Sequence, residues 1–368
     1  MGTHLTEKHP LVSIVVLNYN GIKFLQDVFD SLLECTYPNL EIIMVDNRSS
    51  DESVLFVTDK YPRVRIHQNA ENYKYARGNN EGIKIANGKY ICLLNNDVKV
   101  SPRFVEPIIE IFESDLEIGA AQPKILDFNN RKQLEYAGAC GGYLDWFGYP
   151  FLRGRLFNIT ENDSGQYDES VEIFWASGAC IFFRADTLKN VGLLDESFEL
   201  HMEEIDLCWR LHLTGWKILS VPQSVIWHHG GGTLSQFSAQ KVYYNFRNNI
   251  FALIKNFSAL NLLLRLPFRF FLDLIAVLRS FAILQFAMGL AILKGYSWLL
   301  FHISLLWEHR IQSQSRRIIM EKEVLKSIYP GSIVFEFFIL RRHRFSDLLF
   351  FGKFLSRLGR KKSILKNN

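Results

Sequence analysis

No pair of cysteines in this chain has CxxC spacing. The five cysteines, Cys35, Cys92, Cys140, Cys180 and Cys208, are scattered, odd in number and set among apolar residues. That argues against a zinc site or a disulfide framework and leaves buried thiols in a reducing compartment. A glycine-rich phosphate loop is also missing. The first apolar run ends in Asn18-Tyr19-Asn20-Gly21, so neither a nucleotidyltransferase nor a dinucleotide oxidoreductase finds its signature there. The opening residues lack an apolar signal core, which speaks against a cleaved export signal. A net charge of only +4 over 368 residues does not suit a wholesale nucleic-acid binder, and no nucleic acid is expected as a partner. Long hydrophobic runs are short of what a membrane span needs. Residues 258–307 are rich in Leu, Phe, Ile and Ala, yet the longest uncharged run there, Ser280 to Leu293, has 14 residues, against roughly 20 for a spanning helix.

What is present begins with alternation. Leu11 to Leu17 is a continuous, β-branched apolar run, and Phe24 to Leu33 has helical spacing. Glu41 to Val45 predicts a second strand, and Ser49 to Glu52 a helix start. Val64 to His67 predicts a third strand, the Asn79 to Ala86 region a helix, and Lys89 to Leu94 a fourth strand. Strands and helices joined by short connections imply an α/β fold, a mainly parallel sheet flanked by helices. Ligands of such sheets bind outside the carboxyl ends of the strands. Asn18, Asp46 and Asp97 all fall at those ends and are expected to share one crevice. Further on, Glu172 to Phe183 reads as a strand pair broken at Ser177-Gly178-Ala179. Glu203 to Leu213 reads as a helix, and Trp216 to Val221 as a strand.

Three clusters carry the chemistry: Asn95-Asn96-Asp97, the acids of His201-Met202-Glu203-Glu204-Ile205-Asp206, and Trp227-His228-His229-Gly230-Gly231-Gly232-Thr233. An acid at a strand end can ligate a divalent cation. A second acidic cluster can supply a general base, and an imidazole can complete a metal shell. Such a set suits a reaction in which a diphosphate is neutralised and a hydroxyl deprotonated. Blander readings exist for each: a turn acid at Asp97, a helix N-terminus favoured by the dipole for the three acids, and a cap at Asp51.

Val12 to Asn20, Val45 to Asp51, Asn79-Asn80-Glu81-Gly82, Leu94 to Asp97, Glu203-Glu204 and His228 to Thr233 occur in an order that resembles family 2 inverting glycosyltransferases of the GT-A fold. The branch it is most similar to includes bacterial rhamnosyltransferases of cell-surface polysaccharide synthesis. The resemblance implies that Asp46 helps hold the donor nucleoside, with Asn18, Asn20, Asn47, Asn79, Asn95 and Asn96 around the nucleotide-sugar. It implies a metal contact at Asp97 and His228, with Mg2+ or Mn2+ as the ion. The family's acidic pair, usually Glu-Asp, falls on Glu203-Glu204, so Glu204 is the expected base, with Glu203 and Asp206 as neighbouring candidates. Trp175 and Gly178 resemble positions lining the donor–acceptor cleft, where Trp175 either stacks on a sugar or packs in the core. Lys74 stands where relatives commonly have glycine, and either Lys74 or Arg77 is expected to reach the diphosphate.

The implied reaction moves a sugar from a UDP- or dTDP-linked donor to a glycan or lipid-linked acceptor. The alternative is a membrane-bound sugar-nucleotide-binding protein without catalysis. Residues 1–250 are expected to form the catalytic domain and 251–368 a helical, basic region. There Arg265, Arg269, Asp273, Arg279 and Lys294 interrupt the apolar stretch. This pattern predicts amphipathic helices lying on an anionic membrane surface, with an ordinary helical subdomain as the competing reading. Phe345 to Leu358 is a second amphipathic element, followed by Arg360, Lys361 and Lys362. The expected location is the cytoplasm, peripheral on the inner face of the plasma membrane.

Overall fold

Apolar runs flanked by helices become the middle of a nine-stranded sheet in the computed structural model, which describes residues 9–230 and 238–358. The sequence features at Gly231-Gly232-Thr233 and in the basic tail from Arg360 lie outside the described residues. The first half alternates β1 (Val12–Asn18), α1 (Ile22–Leu33), β2 (Leu40–Asp46), α2 (Ser53–Lys60), β3 (Arg65–Gln68), α3 (Lys74–Ile85) and β4 (Tyr90–Asn95). β1 pairs in parallel with both β2 and β4, and β2 with β3. β1 and β4 are buried along nearly their whole length, which is why they read as unbroken apolar runs rather than alternating ones. The chain winds outward from β1 to β3 and returns on the other side at β4. That reversal opens a crevice beyond the strand ends.

Next come β5 (Val98–Val100), α4 (Glu106–Ser114) and β6 (Ile118–Asp127), then a small antiparallel sheet of β7 (Gly142–Leu144), β8 (Pro150–Leu152), β9 (Arg155–Leu156) and β10 (Ile159–Thr160). β11 (Val171–Glu172) and β12 (Cys180–Arg184) follow, then α5 (Ala185–Val191), α6 (Glu203–Leu213) and β13 (Lys217–His228). The strand pair expected over 172–183 does not form. β11 pairs with β13, whereas β12 inserts antiparallel between β4 and β6. The break at Ser177-Gly178-Ala179 sends the two halves to different neighbours. The five cysteines are free thiols.

The remainder is helical: α7 (Ala239–Asn256), α8 (Ala259–Ala282), α9 (Phe286–Phe301), α10 (Ile303–Ser315), α11 (Glu321–Val324), α12 (Ile333–Phe338) and α13 (Phe351–Leu358). The division expected at residue 250 falls inside α7, which packs on α6 on one side and on α9 and α10 on another. Phe345, Leu348 and Phe354, from the second amphipathic element, are buried against Tyr143, Phe151 and Tyr329. That element covers the small sheet.

α8 is inside out. Its buried positions are Arg265, Arg269, Asp273 and Val277, four residues apart, while Leu263, Phe268, Phe270, Phe271, Leu274 and Leu278 are exposed. The charges have partners inside. Arg269 pairs with Asp273 at 3.0 Å and lies 3.7 Å over the Tyr149 ring, and Asp273 also accepts from the hydroxyls of Tyr149 and Tyr296. Phe286, Leu290, Leu300 and Phe301 of α9 extend the apolar face. Among the described residues no single helix is long and apolar enough to cross a membrane. α9 and α10 together pass on length and composition, but bend by 76°.

Candidate active site

The register of the parallel strands sets Asn18 beside Asp46, and Leu17 beside Asn95. Asn18 is the hub of this strand-end cluster. Its Nδ2 donates to Asp46 Oδ1 at 3.1 Å and to Ser49 Oγ at 3.1 Å, and its Oδ1 accepts from Asn96 Nδ2 at 2.7 Å. Asp46 is buried and also takes the Ser49 N–H at 2.9 Å. Asn20 has φ +49 and accepts from the Ser50 N–H at 2.7 Å. Asp51 caps, receiving the N–H groups of Ile22 and Ser53. Asn47 donates to the Lys74 carbonyl and accepts from Asn69. Asn79 donates to the Tyr75 carbonyl within α3 and is buried, so its side chain is spent on the helix. Lys74 does not reach into the crevice as a free cation: it pairs with Glu199.

β13 delivers the histidine. Its last residue pairs with Val98, which brings His228 Nε2 to 3.1 Å from Asp97 Oδ1. On its other side Nδ1 lies 3.3 Å from Glu135 Oε1, off the angle of a hydrogen bond. Burial alone would lower the His228 pKa, but the charge of Glu135 and the bond and charge of Asp97 overcome it and hold it at about 10. Burial likewise works to raise the Asp97 carboxyl, and the bond to His228 outweighs it and keeps it below its ordinary value. His229 serves packing, stacked on Phe128 at 3.6 Å. Glu135 was not legible in the sequence, since it sits in an irregular stretch with no motif around it. Its other oxygen accepts the N–H groups of Ala137 and Gly138. Among the described residues no group of three or more His, Cys, Asp or Glu side chains is set to hold a metal unaided.

α6 begins abruptly. Glu199, His201 and Met202 all have positive φ, at +64, +66 and +74, a conformation costing about 1–3 kcal/mol for each such residue. The three acids behind this turn differ sharply. Burial pushes the Glu204 carboxyl up to about 7, against the pull of backbone N–H groups at the helix start. Burial and the Glu204 charge drive Glu203 well above the ordinary carboxylate range. Oε2 of each is buried without a hydrogen-bond partner. Asp206, expected among the candidate bases, is instead an anchor. It is fully buried and receives Lys255 at 2.8 Å, Arg210 at 2.8 Å and Asn256 at 2.8 Å. Burial opposes its charge, but Lys255 and Arg210 hold its carboxyl below the ordinary value. An acid so held is a poor proton acceptor.

Tyr75 connects the two sides. Its hydroxyl donates to the Gly178 carbonyl at 2.6 Å, and burial followed by the charges of Glu203 and Glu204 raises its pKa strongly. A Cβ on Gly178 would meet that hydroxyl at 2.6 Å, so the close approach requires glycine. Trp175 is core: it is buried, donates to the Tyr143 carbonyl at 3.0 Å and lies flat on Gly142. It is not placed to stack on a sugar.

Comparison with known proteins agrees with this architecture. Residues 13–191 match the model of glycosyl transferase family 2. The chain is 27% identical to O-antigen biosynthesis protein RfbC of Myxococcus xanthus, over 60% of this chain and 17% of that protein. It is 23% identical to N-acetylglucosaminyl-diphospho-decaprenol L-rhamnosyltransferase of Mycobacterium tuberculosis, over 60% of this chain and 76% of the relative. The first of these relatives is thus far longer than the stretch it shares. GalNAc-T7, solved with UDP, GalNAc and Mn2+, superposes with a TM-score of 0.54 at 17% identity, covering 68% of this chain and 48% of that one. At that identity the likeness is one of fold. Strand order and the family match together make residues 13–191 a glycosyl transferase family 2 domain on a GT-A fold.

Proposed function

We propose that this protein moves a sugar from a nucleotide-diphospho-sugar donor to a hydroxyl of a glycan or lipid-linked acceptor, with inversion at the anomeric carbon. The observation that carries the reading is Glu204, a carboxyl raised to about 7 at the start of α6 with one oxygen unbonded. A base of that strength is about half ionised at neutral pH and, in its charged form, basic enough to draw a proton from an attacking hydroxyl. The acceptor oxygen then attacks the anomeric carbon on the face opposite the departing diphosphate. Burial and the Glu204 charge push the Glu203 carboxyl well above its ordinary range, which disfavours a second negative charge beside Glu204.

Asp97 and His228 fit a divalent cation, Mg2+ or Mn2+. The Asp97 carboxylate adjoins a histidine whose far nitrogen lies 3.3 Å from Glu135. Its ring is protonated in the absence of metal, and a cation would displace the proton on Nε2 as it bound. Bound there, the cation would neutralise the leaving diphosphate. Asn18, Asn20, Asp46, Asn47, Asn95 and Asn96 are assigned to the nucleotide side. Asn18 and Ser49 set the orientation of Asp46. The donor is read as UDP- or dTDP-linked, and the sugar as rhamnose or another hexose. The activity for which the mycobacterial relative is named supports a lipid-linked acceptor. Work on such an acceptor at the inner face of the plasma membrane is supported by the outward apolar face of α8 and α9.

A Mn2+-supplemented panel of UDP- and dTDP-sugars, scored for nucleoside diphosphate release, tests the reading. The expected result is one donor turned over by the full chain and lost in both Glu204→Gln and Asp97→Ala. Turnover by both variants at the wild-type rate would remove Glu204 and Asp97 from the mechanism.

A further inference from the structure

The turn that presents Glu204 is held from outside the family-matched stretch. Asn248, in the middle of α7, is fully buried. Its Nδ2 lies 2.8 Å from each of three carbonyl oxygens, those of Phe198, Leu200 and His201. An amide nitrogen has two N–H bonds, so two donors are shared among three acceptors, and all three belong to the turn with left-handed residues at 199, 201 and 202. The amide cannot flip, because Arg247 Nε donates to Asn248 Oδ1 at 2.7 Å. Arg247 adds a second hold, donating to the carbonyls of Phe198 and Ser197 at 2.9 and 3.2 Å and pairing with Glu199 at 3.2 Å. α7 also grips the next turn of α6 through Lys255 and Asn256 on Asp206.

We infer that Asn248 is a positioning residue for Glu204: by gathering the carbonyls of Phe198, Leu200 and His201, it keeps the 198–202 turn in the strained shape from which α6 starts and so fixes where the Glu204 carboxylate stands. Two physical facts support this. A backbone with three left-handed residues persists only where its surroundings over-determine it. And carbonyls withdrawn from water without donors are costly. Phe198 keeps the Arg247 donor, so removing the amide favours rearrangement of the turn rather than orphaned oxygens at Leu200 and His201. The inference rests on the assignment of Glu204 as the base, but its physical content is a statement about the turn.

The test has two arms on the full chain. In the first, Asn248→Ala and the milder Asn248→Ser are compared with wild type by hydrogen exchange, without substrate. Peptides covering 198–206 are expected to lose protection at least tenfold, while β1 and β4 keep theirs. Unchanged protection at 198–206 in both variants overturns the inference whether or not any sugar is transferred. In the second, the donor that wild type turns over is used with Mn2+. Asn248→Ser is expected to lower kcat about 10- to 100-fold, because a base displaced by about an ångström loses that much, with donor KM within twofold. Adding it to Glu204→Gln should cost little more, since two residues acting through one group are not additive. A fall in kcat of equal size in the wild-type and Glu204→Gln backgrounds would make Asn248 merely structural. Absence of turnover in wild type would count against the proposed function and leave the exchange arm to decide the inference.

Discussion

A carboxyl that titrates near 7 is protonated through the acid range, and only its charged form accepts a proton. Turnover at saturating donor should therefore fall about tenfold per pH unit below about 7, measurable as a kcat profile from pH 5 to 9. Glu204→Gln should flatten that limb and lower kcat by about 10²–10⁴. The same raised value has a consequence for stability. In the unfolded chain Glu204 ionises near 4.5, so folding stability from this group is complete below that value and is lost as pH rises to about 7. Glu204→Gln should accordingly melt higher than wild type at pH 8 and no higher at pH 4, a difference of about 1–3 kcal/mol at the upper end. At this scale the sequence put Asp97 and His228 at the ends of apolar runs, and the structure brings the two side chains to 3.1 Å. It could not separate Glu203, Glu204 and Asp206. Three acids at a helix start look alike until Lys255 and Asn256 arrive from a helix some fifty residues later. Trp175 was equally open, since an aromatic residue does not announce that a glycine lies under its ring.

Between elements, the tightest charged junction joins α6 to α7. Asp206 is wholly buried with Lys255, and Lys255 also bonds Asp195 at 2.6 Å, which in turn receives His309 of α10. Asp206→Ala would leave Lys255 and Arg210 with one buried partner fewer. The expected loss is about 3–5 kcal/mol in urea unfolding, with kcat of the folded fraction changed only a few-fold. A large fall in kcat at unchanged stability would return Asp206 to the chemistry. Gly142 offers a second test of packing. A Cβ there would stand 1.9 Å from Trp175 Cε2, and a buried indole ring has no free end to swing away. Gly142→Ala should destabilise by at least about 1–3 kcal/mol. Elements of the first half were legible because each is long and one-signed: β1 as a buried run, α1 with an apolar stripe. The small sheet was not, since β7 to β10 are two or three residues each, too short for any period to show.

Taken whole, the molecule wears its apolar side outward along α8 and α9. The charges that break the sequence run there, Arg265, Arg269 and Asp273, are the ones turned inward. Water would favour the reverse, so the outer face is read as facing hydrocarbon. The full chain should float with anionic vesicles. Changing Phe270, Phe271 and Leu274 to Ser should release it, each lost side chain weakening attachment by about 1.5–3 kcal/mol. A wild-type chain that stays monomeric and unbound at low salt would sink this reading. Composition gave the apolar content of this region but not its polarity, which depends on the pairing of Arg269 with Asp273 across one helical turn.

The brace from α7 also separates two lengths that are easily taken for one. The match to the family model ends at residue 191, and α6 ends at Leu213. The carboxylate of Asp206 nevertheless finds its countercharge at Lys255, and the turn before Glu204 finds its amide at Asn248. A gene fragment ending after Asp206 and before Lys255 would keep a buried anion with its principal cation removed. Such a fragment is expected to be insoluble or molten under conditions where the full chain is folded. The stretch that matches the family model is thus shorter than the one that contains its own anchors, which runs to Asn256.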